Sequence, residues 1–154
     1  MGDLILSNGR RPFLYLGSVF ELATSLQMNR NIKYVLNCTR DIDVPDGVTS
    51  MRVPVSDDPM EDISSYFIPA IEFIEKARKN DDGCIFVHCY AGISRSTTIV
   101  TAYLIYRGMT LKTALSHILS LRPRICPNEG FFNQLKSASD SKMEYKEFLS
   151  LKKQ

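Results

Sequence analysis

Strands alternating with helices predict an α/β fold: one domain over residues 1–154, with a central, mostly parallel (mixed) sheet of about five strands flanked by helices. Three observations carry that expectation. Short apolar runs rich in β-branched and aromatic residues alternate with stretches of helical periodicity. A short apolar run, Cys84 to Val87, passes through a Gly-containing turn into a longer apolar segment of helical character. The length of 154 residues suits one hydrophobic core rather than two, and no repeat, low-complexity tract or interdomain linker interrupts it.

In chain order, Phe13 to Leu16 reads as a short strand and Val19 to Met28 as a helix that Ser18 can cap. Tyr34 to Cys38 reads as a buried strand. Pro45 and Gly47 place a turn in Asp41 to Val48, Met51 to Val55 alternates as a further strand, and Ser56 to Asp62 is a polar loop. Phe67, Ala70, Ile71, Ile74 and Ala77 recur at helical spacing, with Ser64 as the expected cap and Asn80-Asp81-Asp82-Gly83 as the stop. Cys84 to His88 is the central strand. Ser96 to Tyr106 is an apolar helix ended by Gly108, and Thr110 caps a helix carrying Leu111, Ala114, Leu115, Ile118 and Leu119 on one face. His117 lies off that face and is expected in solvent. Pro123 and Pro127 break the chain before helices from about Glu129 to Ala138 and from about Lys142 to Lys152.

A net charge of +2, with Lys and Arg scattered apart from Arg10-Arg11 and Lys152-Lys153, argues against a nucleic-acid partner. No stretch is long and apolar enough for a membrane span, and the amino terminus lacks the order of a signal peptide. Met1-Gly2 is followed by Leu6 where a myristoylation motif requires Ser or Thr, so no stable membrane anchor is expected. The expected location is the cytoplasm, with nuclear entry by diffusion. Cys38, Cys84, Cys89 and Cys126 show no metal-ligand spacing, so neither a metal nor another cofactor is expected. Cys84 and Cys89 lie five residues apart along a strand, about 16 Å, which is beyond disulfide reach.

Chemistry concentrates in His88-Cys89-Tyr90-Ala91-Gly92-Ile93-Ser94-Arg95-Ser96. A cysteine at the end of a buried strand, followed by a tight turn into a helix, sets its sulfur over backbone N–H groups and the positive end of the helix dipole. That field favours a thiolate. If the loop curls back, the Arg95 guanidinium faces the same point and holds two phosphate oxygens. Gly92 suits a backbone conformation that a side chain would strain. Asn37 and Asn128 read as turn or cap residues, and Arg122 as a partner for helix-end carbonyls that could also meet an anion.

The pattern H-C-x-x-G-x-x-R-[ST] resembles the signature of the cysteine-dependent protein tyrosine phosphatase superfamily, and its form here resembles the small, atypical members of the dual-specificity branch. The resemblance extends over most of the chain: Tyr15-Leu16-Gly17-Ser18, Val35-Leu36-Asn37, Asp57, Ala102-Tyr103-Leu104, Arg122-Pro123, Pro127-Asn128-Glu129-Gly130-Phe131 and Gln134-Leu135 follow in the family's order. It implies a phosphatase-type fold and a metal-independent dual-specificity protein phosphatase acting on phosphorylated protein substrates.

In the expected reaction the Cys89 thiolate attacks phosphorus in line, while Arg95 and the amides of Tyr90, Ala91, Gly92, Ile93 and Ser94 stabilise the equatorial oxygens. A phosphocysteine forms. The leaving oxygen needs an acid that later acts as base toward water. The resemblance puts that acid six residues before the apolar residue opening the next helix, and Asp57 stands six before Ile63; Asp58 is its neighbour and competitor. The resemblance also makes Ser96 the hydroxyl that assists departure of the sulfur. His88 is expected to orient the loop and tune the thiolate. Cys38 reads first as a small buried apolar residue, and by resemblance as a second thiol able to trap an oxidised Cys89.

Phosphoinositide or RNA 5′-triphosphate substrates, or a phosphate-binding module with little turnover, are the alternatives. Phosphoinositide-directed relatives often carry lysines inside the loop, whereas Tyr90, Ala91, Ile93 and Ser94 are uncharged. RNA-directed relatives tend to continue Arg-Thr-Gly, and this chain continues Arg95-Ser96-Thr97. A module without turnover normally loses the cysteine or the arginine. Larger tyrosine-specific members of the superfamily deepen the site with extra elements, so the resemblance of this short chain to the small members implies a shallower site open to phosphoserine and phosphothreonine as well as phosphotyrosine. The physiological substrate and oligomeric state are not readable from the sequence.

Overall fold

Every residue of Cys84–His88 is buried, and a strand needs apolar side chains on both faces only when both faces are covered. This segment, β5 by chain order, is accordingly the middle strand. The computed structural model describes residues 1–28, 30–80 and 83–154. On one side β5 pairs in parallel with β2 (Arg11–Gly17), and on the other with β3 (Ile32–Asn37). A short β4 (Thr49–Arg52) extends the sheet in parallel beyond β3, and β1 (Asp3–Asn8) closes the other edge antiparallel to β2. The order is β1-β2-β5-β3-β4, a mixed, mostly parallel sheet.

The period-two alternation of strands splits the core into two layers. Tyr15, Val35 and Phe86 face one way, with Leu22 of helix α1 (Val19–Gln27). Leu14, Leu16, Tyr34, Leu36, Ile85 and Val87 face the other. That second face carries α2 (Phe67–Lys79), α3 (Arg95–Tyr106), α4 (Leu111–Leu121), α5 (Glu129–Ala138) and α6 (Tyr145–Leu151). Helix α3 is buried along most of its length, as its apolar sequence requires.

Several expected boundaries move. The hairpin strand β1 was not anticipated, although Leu4-Ile5-Leu6 before Asn8-Gly9 is a strand followed by a turn signal, with Gly9 at φ +66°. The strand expected over Met51 to Val55 lies earlier, at Thr49–Arg52, because its partner β3 ends at Asn37, opposite Arg52. Ser64 does not cap α2. It opens a 3₁₀ turn (Ser64–Tyr66), and the Asp62 carboxylate accepts from its hydroxyl and from the Ser65 N–H. Helix α2 ends with Asn80 as its C-cap, and the rest of its expected stop, Asp81-Asp82, lies outside the described residues. The last helix starts at Tyr145, later than Lys142, with Phe148 buried against Phe132. His117 is half-buried rather than in solvent: its Nε2 donates to the Ile5 carbonyl at 2.8 Å, clasping the unanticipated β1. Among the described residues no helix is long and apolar enough to cross a membrane.

Candidate active site

β5 delivers His88 and Cys89 to the end of the sheet, and the chain turns at Ala91-Gly92-Ile93 into α3. Gly92 has φ +71°, and a Cβ there would lie 2.5 Å from the Gly17 carbonyl carbon and 2.6 Å from Arg122 Nη2. Only glycine tolerates both the conformation and the approach. The turn brings the Gly92 N–H to the Cys89 sulfur at 3.2 Å, and the Ser96 hydroxyl lies 3.1 Å from the same sulfur.

What makes this loop a cradle is where its carbonyls go. Tyr90 O accepts from the Val19 N–H at the start of α1, at 3.2 Å. Arg122 Nη2 donates to Ala91 O at 3.4 Å, and Arg122 Nε donates to Gly92 O at 3.0 Å. Ile93 O accepts from the Cys126 N–H at 2.9 Å. With the carbonyls engaged outside the loop, its N–H groups are what remains for a ligand, and these suit an anion. The start of α3 agrees. Helices α1, α4 and α5 are closed by the side chains of Ser18, Thr110 and Asn128, but Ser94, the N-cap of α3, makes no side-chain cap bond. Its Oγ instead accepts from the Asn128 N–H at 2.9 Å, leaving the first turn of α3 free of a side-chain cap.

Arg95, half-buried, is aimed by its neighbours. Nη1 donates to Val55 O at 3.1 Å, and the buried Nε has no partner among the described residues, which leaves a donor for a phosphate oxygen. His88 is fully buried, with Nδ1 donating to the Cys89 carbonyl at 3.1 Å. Burial pushes the His88 pKa down, outweighing the opposite effect of that bond, so the ring is held neutral and braces the loop. Cys38 is packed beside the site, and its N–H donates to the His88 carbonyl at 2.7 Å. Burial pushes its thiol pKa well up, and Cys89 adds to the effect. All four cysteines are free.

Asp57 and Asp58 are both exposed, but their partners separate them. Asp58 Oδ1 accepts from the Met60 N–H at 2.9 Å, a local turn. Asp57 Oδ1 accepts from Asn128 Nδ2 at 2.9 Å, and Asn128 is the residue whose N–H holds Ser94. Asn128 thus caps α5, as expected of it, and also ties Asp57 to the cradle, a connection between residues 71 apart that its sequence position does not show. Asn37 is structural, accepting from Thr39 and donating to Ile42 O.

Arg122 is the largest departure from the sequence reading. It contacts the carbonyls of the cradle rather than those of a helix end. Its side chain is completely buried, with ion pairs to Glu21 at 2.7 Å and Asp3 at 2.8 Å. Burial by itself would raise the Glu21 pKa, but the Arg122 hydrogen bond and the Ser18 and Gly2 amides prevail and hold it well below the carboxylate range. No local periodicity signals this pairing, because its members are about 100 residues apart; the Ser18-x-x-Glu21 capping box conceals Glu21's second task.

The family model for the dual specificity phosphatase catalytic domain matches residues 14–141. Human dual specificity protein phosphatase 16 is 42% identical over 129 residues, covering 80% of this chain and 19% of that protein. Human dual specificity protein phosphatase 15 is 38% identical over 133 residues, covering 84% of this chain and 45% of that protein. This chain therefore spans less than half the length of either curated relative. The crystal structure of human DUSP28 is similar at a TM-score of 0.81 and 32% identity, covering 90% of this chain and 95% of that one.

Proposed function

We propose that this chain, which belongs to the dual specificity phosphatase catalytic-domain family, hydrolyses phosphotyrosine and phosphoserine or phosphothreonine on proteins through a phosphocysteine intermediate. The observation that carries the reading is the arrangement around Cys89. A nucleophilic sulfur sits under a loop whose carbonyls are drawn away by Val19, Arg122 and Cys126, beside Arg95 with a donor to spare.

Chemistry follows from the groups present. The thiolate of Cys89 forms a bond to phosphorus as the bond to the leaving oxygen breaks, and the electron pair departs with that oxygen. The loop amides and the Arg95 guanidinium meet the negative charge on the three equatorial oxygens. Asp57 hands its proton to the leaving oxygen, then takes one from the water that displaces sulfur. The hydroxyl of Ser96, 3.1 Å from Sγ, donates to the sulfur as it leaves with the electron pair. His88 acts through the loop and touches no reacting atom.

Non-protein phosphates are not favoured. Tyr90, Ala91, Ile93 and Ser94 bring no charge to meet additional phosphate groups. The test is hydrolysis of p-nitrophenyl phosphate without added divalent metal, its inhibition by vanadate, and rates on phosphotyrosine, phosphothreonine, phosphoinositide and triphosphate-RNA compared side by side. Cys89→Ser is expected to lower turnover by a thousandfold or more, on the order of what loss of a covalent nucleophile costs, while phosphopeptide binding persists. Full activity in Cys89→Ser would refute the mechanism.

A further inference from the structure

Phe20 and Tyr90 are large aromatic side chains left 66% and 53% exposed, and they contact each other edge to face with ring centroids 5.8 Å apart and planes at 78°. Scattered exposed apolar residues need no explanation, but this pair is not scattered. Tyr90 directly follows the nucleophile, and its own carbonyl accepts from the Val19 N–H, so the cradle and the first turn of α1, which carry the two rings, are tied together through the backbone. The loop packs there as closely as Gly92 on Gly17 allows. The pair is thus continuous with the phosphate site, and its rings stand on a rigid base.

The charges beside it are already engaged. Glu21, next in sequence to Phe20, is held by Arg122, Arg124 and the amides of Gly2 and Ser18. What this rim offers an incoming chain is aromatic surface rather than an ion-pair partner.

From this we infer that the Phe20–Tyr90 pair is a subsite for a large apolar side chain adjacent to the phosphorylated residue of a protein substrate, so that the enzyme selects phosphosites flanked by such a residue. The inference rests on the protein-phosphatase reading above and deepens it. A peptide anchored by its phosphate has its neighbouring residue within reach of this rim, and a large apolar side chain there removes its own surface and that of two exposed rings from water. A polar or charged neighbour gains nothing comparable.

Phosphotyrosine peptides differing only in the flanking residues, leucine or phenylalanine against serine, distinguish the possibilities. Affinity is measured by fluorescence anisotropy on Cys89→Ser, alone and combined with Phe20→Ala or Phe20→Leu, so the readout does not depend on turnover. The expected result is that Phe20→Ala weakens the apolar-flanked peptides about tenfold, the scale of one lost apolar contact, and leaves the serine-flanked peptides unchanged. Phe20→Leu, which keeps apolar surface, should retain most of the preference. In the protein with Cys89 intact, Phe20→Ala should hydrolyse p-nitrophenyl phosphate at the original rate, since Phe20 touches no reacting group. Equal loss for both peptide sets, no loss for either, or absence of phosphopeptide binding overturns the subsite. A concentration-dependent dimer abolished by Phe20→Ala, together with unchanged peptide selectivity, also overturns it and assigns the pair to self-association. Failure of the intact protein to hydrolyse any phosphate ester instead refutes the proposed function, and the anisotropy series reads the subsite separately.

Discussion

The loop from Cys89 to Ser94 and the loop from Ser56 to Asp62 meet at Asn128, but the first is clamped from behind by buried groups and the second is held at the surface. In the cradle, the fully buried side chains of Arg122 and His88 fasten the backbone, and Gly92 occupies a conformation and a space open to no other residue. In the loop from Ser56 to Asp62, Asp57, Asp58, Pro59 and Met60 are all exposed, and Asp57 depends on one hydrogen bond from Asn128. The Glu61 carboxylate, accepting from the Ser56 N–H at 2.8 Å, and Gln134, donating to Glu61 O at 2.8 Å, hold the loop's ends. The contrast teaches that the proposed phosphate loop is fixed by buried groups, whereas the proposed acid, Asp57, is held by replaceable side-chain contacts. Damage to the first should lower stability and activity together; damage to the second should lower activity alone.

The most severe break is Gly92→Ala. A Cβ 2.5 Å from the Gly17 backbone at φ +71° must displace one side of the cradle. The expected cost is about 3 kcal/mol in urea unfolding, with turnover on p-nitrophenyl phosphate down on the order of a hundredfold. Retained activity would show that the loop's shape matters less than its clamped packing implies.

Asp57→Ala should spare stability and lower turnover on a phosphate ester with a poor leaving group by about a hundredfold, with a smaller fall for p-nitrophenyl phosphate, whose leaving group needs little protonation. Asp58→Ala should change both rates little. The reverse pattern would reassign the acid.

Asn128→Ala sits between the two loops. Loss of the α5 cap should cost about 1 kcal/mol, and loss of the Asp57 contact should slow the poor leaving group a few-fold, leaving p-nitrophenyl phosphate nearly unaffected. Equal slowing of both substrates would place its main effect in the cradle, through Ser94.

The smallest expected effect is on pH. Glu21 has its folded pKa depressed, so the stability it contributes is present above the ordinary carboxylate pKa of 4.5 and is lost as pH falls through the lower folded value. His88 works in the same direction by another route: burial lowers its folded pKa, so the unfolded chain binds more protons below the ordinary value of 6.5 and stability declines from there downward. Urea midpoints between pH 7 and pH 3 should therefore fall in two stages. Glu21→Gln should flatten the lower stage, and an unaltered slope would separate the Arg122 pair from acid sensitivity.

Much of this was legible in residue order. Strands β2, β3 and β5, helices α1, α3, α4 and α5, and the cradle itself are local patterns: apolar alternation, caps at Ser18, Thr110 and Asn128, and a cysteine, a glycine and an arginine at set spacing between a strand and a helix. The edges were less legible. Strand β1 carries its signal in Leu4-Ile5-Leu6 and Asn8-Gly9, but its place at the sheet edge comes from β2 and from the His117 contact; β4 is signalled by alternation, but takes its bounds from β3. Arg122 looked like a helix-end residue because a local reading sees only Leu121 and Pro123, and not Asp3, Glu21 and Gly92.

By itself, the sequence determined the α/β class, the succession of elements and the place of Cys89, Gly92, Arg95 and Ser96 between a central strand and a helix, because hydrophobic periodicity and turn chemistry act over a few residues. Tertiary structure decided that Asn128 holds Asp57 and not Asp58, what pulls the loop carbonyls outward, and why two aromatic rings share its rim. Asp57 with Asn128, Arg122 with Gly92 and Phe20 with Tyr90 are between 30 and 71 residues apart, and only the packing of α1, α4 and α5 around the end of the sheet brings them together.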